Sequence, residues 1–325
     1  VKYFGVNTYT IGIFRSWNSM NDSGAAIQLS SILLFIVAFL FFVEKYFNQN
    51  KRFSFSKNTQ LALLIKPNNS VKFLIYVICL IPIILAFLIP VLFNFINIFS
   101  SYDDINFERL LNLTFNSFSV SLIASILILI VSTFFLYNEK ISKSKVYYYI
   151  NQFISLGYSI PGAVVALAVI ISVTSLDKLD DNIKLLGSFS VYFLILVYAY
   201  IIRFMAVGKS PIKSSLEKYP DSYNHSAKNL GLSNFKIFQK IYFPISKYAF
   251  FTALTLVFVD IMKELPITLI LRPFNFDTLA TQTYEFAIEE MIPLSSVYSS
   301  VIIIICCILL IFLKMFLDKS NVFRN

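Results

Sequence analysis

Pro293-Leu294-Ser295-Ser296-Val297-Tyr298-Ser299-Ser300-Val301-Ile302-Ile303-Ile304-Ile305-Cys306-Cys307-Ile308-Leu309-Leu310-Ile311-Phe312-Leu313 runs for 21 residues without a charge, and Lys314 closes it. As a helix it would reach roughly 30 Å, the thickness of the hydrocarbon core of a bilayer. Its apolar positions are continuous and do not alternate with period two, so it is not a strand of a transmembrane barrel.

Six more stretches read the same way, and they dominate the composition. Of 325 residues, 57% are hydrophobic and only 14% charged, where a soluble domain has roughly 25% charged residues. Thirty-five Phe against one His and one Trp exclude an ordinary water-soluble enzyme and a disordered chain alike. The expected fold is all-α, a polytopic membrane protein of about seven transmembrane helices. They fall over 25–43, 73–93, 113–136, 150–173, 185–207, 249–271 and 293–313.

The net charge of +9 follows from topology and gives no reason to expect nucleic acid as a partner. Segments 44–72, 137–149, 208–248 and 314–325 hold 19 Lys and Arg, and the alternate segments hold 6. The positive-inside rule places the richer set, with the C-terminus, in the cytoplasm. Asp103, Asp104, Glu108, Asp177, Asp180, Asp181, Asp277, Glu285, Glu289 and Glu290 fall on the other side.

Familiar catalytic patterns are missing. There is no Gly-x-x-x-x-Gly-Lys-Ser/Thr loop to cradle ATP, no His-Glu-x-x-His and no Gly-x-Ser-x-Gly. His225 stands alone, so a histidine-based metal site is not expected, and no cofactor is assigned to this chain. Cys79, Cys306 and Cys307 sit inside apolar runs and read as packing residues.

A polar stretch, 48–70, reads as a cytoplasmic linker between 1–47, one span with its lead-in, and 71–325, six spans with a basic tail. The residues at 4–10 faintly echo those at 274–280, and each is followed by a span with a Ser-Ser pair near its start. Duplicated units are common among transporters. The expectation is the tail of one repeat followed by a complete second repeat, with an N-terminal part preceding Val1.

The loop 208–248 is the most informative. In Ser222-Tyr223-Asn224-His225-Ser226-Ala227-Lys228-Asn229-Leu230-Gly231, a helix starts near Pro220 and Asp221 and stops at Gly231. Ser233 then caps a second helix over 234–241, which Pro244 is expected to end. Tyr223, Ala227 and Leu230 are expected on one face. By its residues this is either an amphipathic hairpin lying on the bilayer or a small face at Ser226-Ala227 that another protein approaches. Ala227, Gly231, Ile241 and Pro244 keep the spacing of the EAA coupling loop of ATP-binding-cassette importer permeases, with His225 where that family has Glu. Segment 217–244 resembles that loop. The resemblance implies that a separate cytoplasmic ATPase dimer, which binds the ATP, grips His225, Ser226, Ala227, Gly231, Ile241 and Pro244.

A second resemblance lies in Asp260-Ile261-Met262-Lys263-Glu264-Leu265-Pro266-Ile267-Thr268-Leu269-Ile270-Leu271-Arg272-Pro273-Phe274-Asn275-Phe276-Asp277-Thr278-Leu279-Ala280, which is similar to a stretch of ferric iron importer permeases. Gly157-Tyr158-Ser159-Ile160-Pro161-Gly162-Ala163-Val164, Tyr200-Ile201-Ile202-Arg203-Phe204 and the opening 3–13 resemble further segments of the same fused two-repeat permeases. The resemblance covers most of 112–313 and about 1–35. It implies a permease subunit moving ferric iron across a bacterial inner membrane, a periplasmic ferric-binding protein, and an N-terminal permease half. A permease for another solute (thiamine, polyamine or sulfate), a secondary transporter and a membrane enzyme stay open as alternatives.

Asp260, Lys263 and Glu264 need explaining, because charge at bilayer depth costs a few kcal/mol or more. Their i, i+3 and i, i+4 spacing is expected to put all three on one net-negative helical face. That face suits either a structural ion pair or gate, or transient contact of Asp260 and Glu264 with a hard cation. Tyr158, Pro161, Gly162, Arg203 and Pro266 join them as the expected path or gate. The two prolines would interrupt their helices, and Arg203 is expected to snorkel from the cytoplasmic end of its span.

Overall fold

The computed structural model describes residues 8–20, 22–48, 67–100, 105–142, 144–177, 188–220 and 222–322. Most of the 48–70 linker, residues 3–7 of the opening motif, and Asp103, Asp104, Asp180, Asp181 and Asp221 lie outside them. All regular structure among the described residues is helical. Six helical runs are long and apolar enough to cross a membrane: Gly24–Glu44, Asn69–Ser100, Phe107–Ser142, Phe189–Glu217, Asn234–Met262 and Ile292–Asp318.

The expected span at 150–173 is not one straight helix. α6 (Lys145–Leu156) runs into a single tight turn, Gly157–Ser159, and α7 (Gly162–Asp177) leaves at a 115° bend. Pro161 is the cause. It has no N–H to donate and forces the residue before it out of the helical region; Ile160 is extended, at φ −83° and ψ 129°. Gly157 lets the bend sit against the next span, since a Cβ there would overlap the carbonyl of Ile202.

The expected span at 249–271 is also corrected. It begins earlier, at α10 (Asn234–Ile237), passes through a π turn at Phe238–Tyr242, and continues as α11 (Phe243–Met262). Pro244 therefore does not end the helix; it follows directly on the π turn, at the second residue of α11. Pro266 does stop it. Its ring would meet the carbonyl of Met262, so the chain breaks after Met262 and restarts as α12 (Pro266–Leu271). A second π turn, Ile84–Leu88, separates α3 (Asn69–Ile83) from α4 (Ile89–Ser100) and likewise ends two residues before a proline, Pro90. In both places the wider turn gives room where the proline cannot bond back.

The centre is formed by α5 (Phe107–Ser142), α8 (Phe189–Glu217) and α11, with α7 and α12 against them. α5 supplies a stripe of small buried residues, Ser117, Ser121, Ala124, Ser125 and Ser132. Lipid gives no hydrophobic drive for helix pairing, and small side chains let backbones approach closely enough for dispersion to do it. Val120, Ile128, Val165, Leu196, Phe204 and Val257 complete the contact. By contrast α3 and α4 bury no side chain, α4 alone of the two packing on α14 (Ile292–Val322), and α2 (Ser23–Asn48) packs with α1 (Tyr9–Asn18) at the edge. Their exposed Phe, Ile and Leu belong against lipid.

Candidate functional site

Halfway along α8, Arg203 meets Glu264, the residue left outside the helix by the break before Pro266. Arg203 Nη1 lies 3.2 Å from Glu264 Oε1, with only 19% and 8% of their side chains exposed. The N–H of Ile267, in the first turn of α12, points at the same Oε1 from 3.4 Å, and Thr268 Oγ1 donates to the Glu264 carbonyl at 2.7 Å. One turn up α8, the hydroxyl of the buried Tyr200 sits 2.6 Å from Thr268 Oγ1. The first turn of α7 closes the group, for a Cβ on Gly162 would overlap both Arg203 Nη1 and Glu264 Oε1. The starts of two helices, α7 and α12, thus converge on one carboxylate, whose charge their dipoles favour.

This corrects two expectations. Arg203 does not snorkel: α8 continues through Glu217, the guanidinium turns inward, and its Nε is buried without a hydrogen-bond partner. Asp260, Lys263 and Glu264 do not share one helical face, because the helix ends at Met262. Lys263 bends back to Asp260 at 2.8 Å with 62% of its side chain exposed, while Glu264 goes to α8. Two acids now meet two bases, so the expected net-negative face is absent. Among the described residues no three His, Cys, Asp or Glu side chains come together as a metal cluster. Tyr158 lies beside this joint, its ring 6.2 Å from Phe204, and Pro161 and Pro266 stand at the two helix breaks.

Tyr200 and Thr268 were within quoted motifs but were not singled out. Their signal is spacing: Tyr200 is three positions before Arg203, one turn of α8, and Thr268 is four positions after Glu264. A second group was missed altogether. The buried Lys209 donates to the carbonyl of Asn151 and, at 2.6 Å, to Ser155 Oγ, while Asn151 Nδ2 donates to Glu139 Oε2 at 2.5 Å. It ties α6 to α8 and α5.

At one pole of the molecule, the stretch after α12 is pinned. Arg272 is held by Asp277 and by Glu285 at 2.9 Å, Asn116 donates to the Asp277 carbonyl at 3.1 Å, and Thr278 and Thr281 form a capping box at the start of α13 (Leu279–Ile288). Phe276 is buried against Phe189 and Phe193.

At the opposite pole stands α9 (Ser222–Asn229). Its end is a Schellman motif: Leu232 N–H donates to the Ala227 carbonyl at 3.1 Å and Gly231 N–H to that of Lys228 at 2.9 Å, with Gly231 at φ +76°. Ser233 then caps α10. The buried face is Asn224 and Ala227, not the expected Tyr223, Ala227 and Leu230; Tyr223 and Leu230 are 44% and 80% exposed. Ala227 packs with Ile212, Leu216 and Ile237 of its own chain. Of the six loop residues, His225, Ser226, Gly231 and Pro244 are presented outward, and Ala227 and Ile241 turn inward. The Tyr137 hydroxyl on the Asn234 carbonyl, 2.5 Å, and Lys140 on the Tyr219 carbonyl, 2.9 Å, fasten the loop to α5.

Residues 140–321 match the family described as binding-protein-dependent transport system inner membrane component. The chain is 24% identical to the Fe(3+)-transport system permease protein FbpB 2 of Haemophilus influenzae, an alignment covering 98% of this chain and 62% of that protein. It spans, then, less than two thirds of that relative's length. In fold it is similar to a chain in the crystal structure of a bacterial ABC transporter involved in the import of the acidic polysaccharide alginate. The TM-score is 0.59 at 12% identity, over 77% of this chain and 96% of that one.

Proposed function

Because the chain belongs to the binding-protein-dependent transport system inner membrane components, we propose that it carries ferric iron inward, driven by a separate ATPase and fed by a ferric-binding protein. The family is a transport permease component and not an enzyme, and the protein is a multi-pass membrane protein. Iron as cargo is supported by the Haemophilus relative and the motifs shared with ferric permeases. The C-terminus and the α9 loop belong in the cytoplasm by the basic asymmetry, and ATP belongs to the partner. A second permease half completes the pore. Residues 1–47 act as the tail of a preceding repeat, 48–70 as the linker and 71–325 as one full repeat.

The observation that carries this reading is the α9 loop, which offers His225, Ser226 and Gly231 to a partner at the end of an unbroken helix whose far end reaches the joint. ATPase closure at the loop would move α11 and so the Arg203–Glu264 joint. The neutral balance of the joint favours a gate over direct ion contact. Iron uptake by membranes containing the permease, its ATPase and its binding protein tests this. Glu264→Gln keeps the size of the side chain and its acceptor for Ile267. It is expected to leave expression and ATPase binding near normal while uptake falls at least about tenfold, a loss of about 1.4 kcal/mol of coupling. Wild-type uptake in a well-expressed variant would remove the gate, and uptake of another solute but not of iron would remove the cargo.

A further inference from the structure

The ends of α8, α11 and α14 at the α9 pole enclose a cleft of about 690 Å³ that no transport step above employs. Lys218 and Lys247 line it, with the hydroxyl-bearing Ser214, Tyr219 and Tyr248, and Leu317 on the α14 side. Neither lysine pairs with a carboxylate among the described residues; Glu217, next in sequence to Lys218, is taken by Lys213 at 3.7 Å. Lys247 Nζ lies 5.1 Å from the centre of the Tyr248 ring, which steadies the ammonium without neutralising it. Among the described residues the cleft therefore presents two positive charges without a carboxylate partner, and several hydroxyls, at the ends of three spans.

Toward the bilayer centre the cleft continues as an aromatic strip. Tyr248 and Phe316 are 5.1 Å apart, Phe251 and Phe316 4.8 Å, and Phe251 and Phe312 5.8 Å, with Phe312 54% exposed. A basic polar end joined to an apolar lane that is exposed at Phe312 and half-buried at Phe251 and Phe316 matches a molecule with an anionic head and a hydrocarbon tail. A free anion would use only the first.

We propose that this cleft holds an anionic phospholipid, its phosphodiester between Lys218 and Lys247 and an acyl chain along the Phe251–Phe312–Phe316 strip. Basic pockets between spans suit such headgroups, since each lysine near the surface adds to the attraction. The lipid would tie together the ends of three helices beside the ATPase loop. The assignment is independent of the cargo.

The test is native mass spectrometry of the full chain released from nanodiscs of phosphatidylglycerol mixed with phosphatidylethanolamine. The wild-type chain is expected to keep a phosphatidylglycerol through delipidation. Lys218→Gln with Lys247→Gln should reduce that retention about tenfold. Lys247→Arg should keep it, and so should Lys145→Gln, an exposed lysine at the same pole outside the cleft. Equal retention of phosphatidylethanolamine, an equal loss in Lys145→Gln, or displacement of the lipid by millimolar inorganic phosphate would each overturn the assignment.

Discussion

Gly162 opens α7 and Gly231 closes α9, yet they are glycines for opposite reasons. Gly162 stands in the joint, with Arg203 and Glu264 occupying the space its Cβ would take. Gly231 stands in the loop, with nothing within 4 Å of such a Cβ, but with a left-handed backbone at φ +76°. At the joint, space is the scarce quantity and side chains from three helices fix one another. In the loop, space is free and a single backbone angle decides the shape. The first region is packed shut and the second stands exposed.

The largest effect should come from emptying the joint. Glu264→Ala leaves Arg203 unpaired at mid-depth and removes the cap from α12, so stability in detergent should drop by about 3–5 kcal/mol. Changing Arg203 and Glu264 together to Met should recover most of that. Unchanged thermal unfolding of Glu264→Ala would show that the joint holds nothing together.

Gly162→Ala comes next. The added methyl must push the ion pair apart, at about 1–3 kcal/mol, and should lower both stability and uptake. If the variant were as stable as the wild type, the contrast with Gly231 would vanish.

Gly231→Ala should cost about 1–2 kcal/mol, confined to the loop, because only the left-handed angle is penalised. Gly231→Asn should cost less than Ala, an ordering that sterics alone would not give. Hydrogen exchange at the end of α9 is the measurement, and equal protection in Ala and Asn variants would contradict it. Smallest of all is Lys263→Gln. Its partner Asp260 is its own helical neighbour and the ammonium is largely in the open, so the change should stay below about 1 kcal/mol.

Much of this architecture was legible in sequence. Long apolar runs located the spans, and Gly231 announced the stop of α9 because few other residues tolerate its angle. What sequence spacing misjudged was continuity. An i, i+4 relation between Asp260 and Glu264 holds only if the helix persists, and Pro266 reaches back four residues to end it at Met262. Pro244, the same residue type, ends nothing, since a π turn lies before it. Partners distant in the chain were the other blind spot. Arg203 and Glu264 are 61 residues apart, and nothing local in either segment names the other. Lys209 looked like one more basic residue of a loop, because α8 was expected to stop at 207, two residues short of it.

The π turn at Phe238–Tyr242 has a mechanical consequence. One stripe of buried positions along this rod is Ile237, Tyr242, Ser246, Phe250, Ala253, Val257 and Ile261, with Thr255, Phe258 and Met262 buried beside it near the break. The steps of the stripe are of three or four residues everywhere except across the turn, where the step is five. A wider turn is what keeps a five-residue step in phase, so one stripe runs from the loop to the break without rotating out of the core. Removing one residue there would swing everything beyond it by about 100° and carry Glu264 away from Arg203. Left intact, the 29 residues from Asn234 to Met262 form a rod roughly 40 Å long, with the α9 loop at one end and the Arg203–Glu264 joint just past the other.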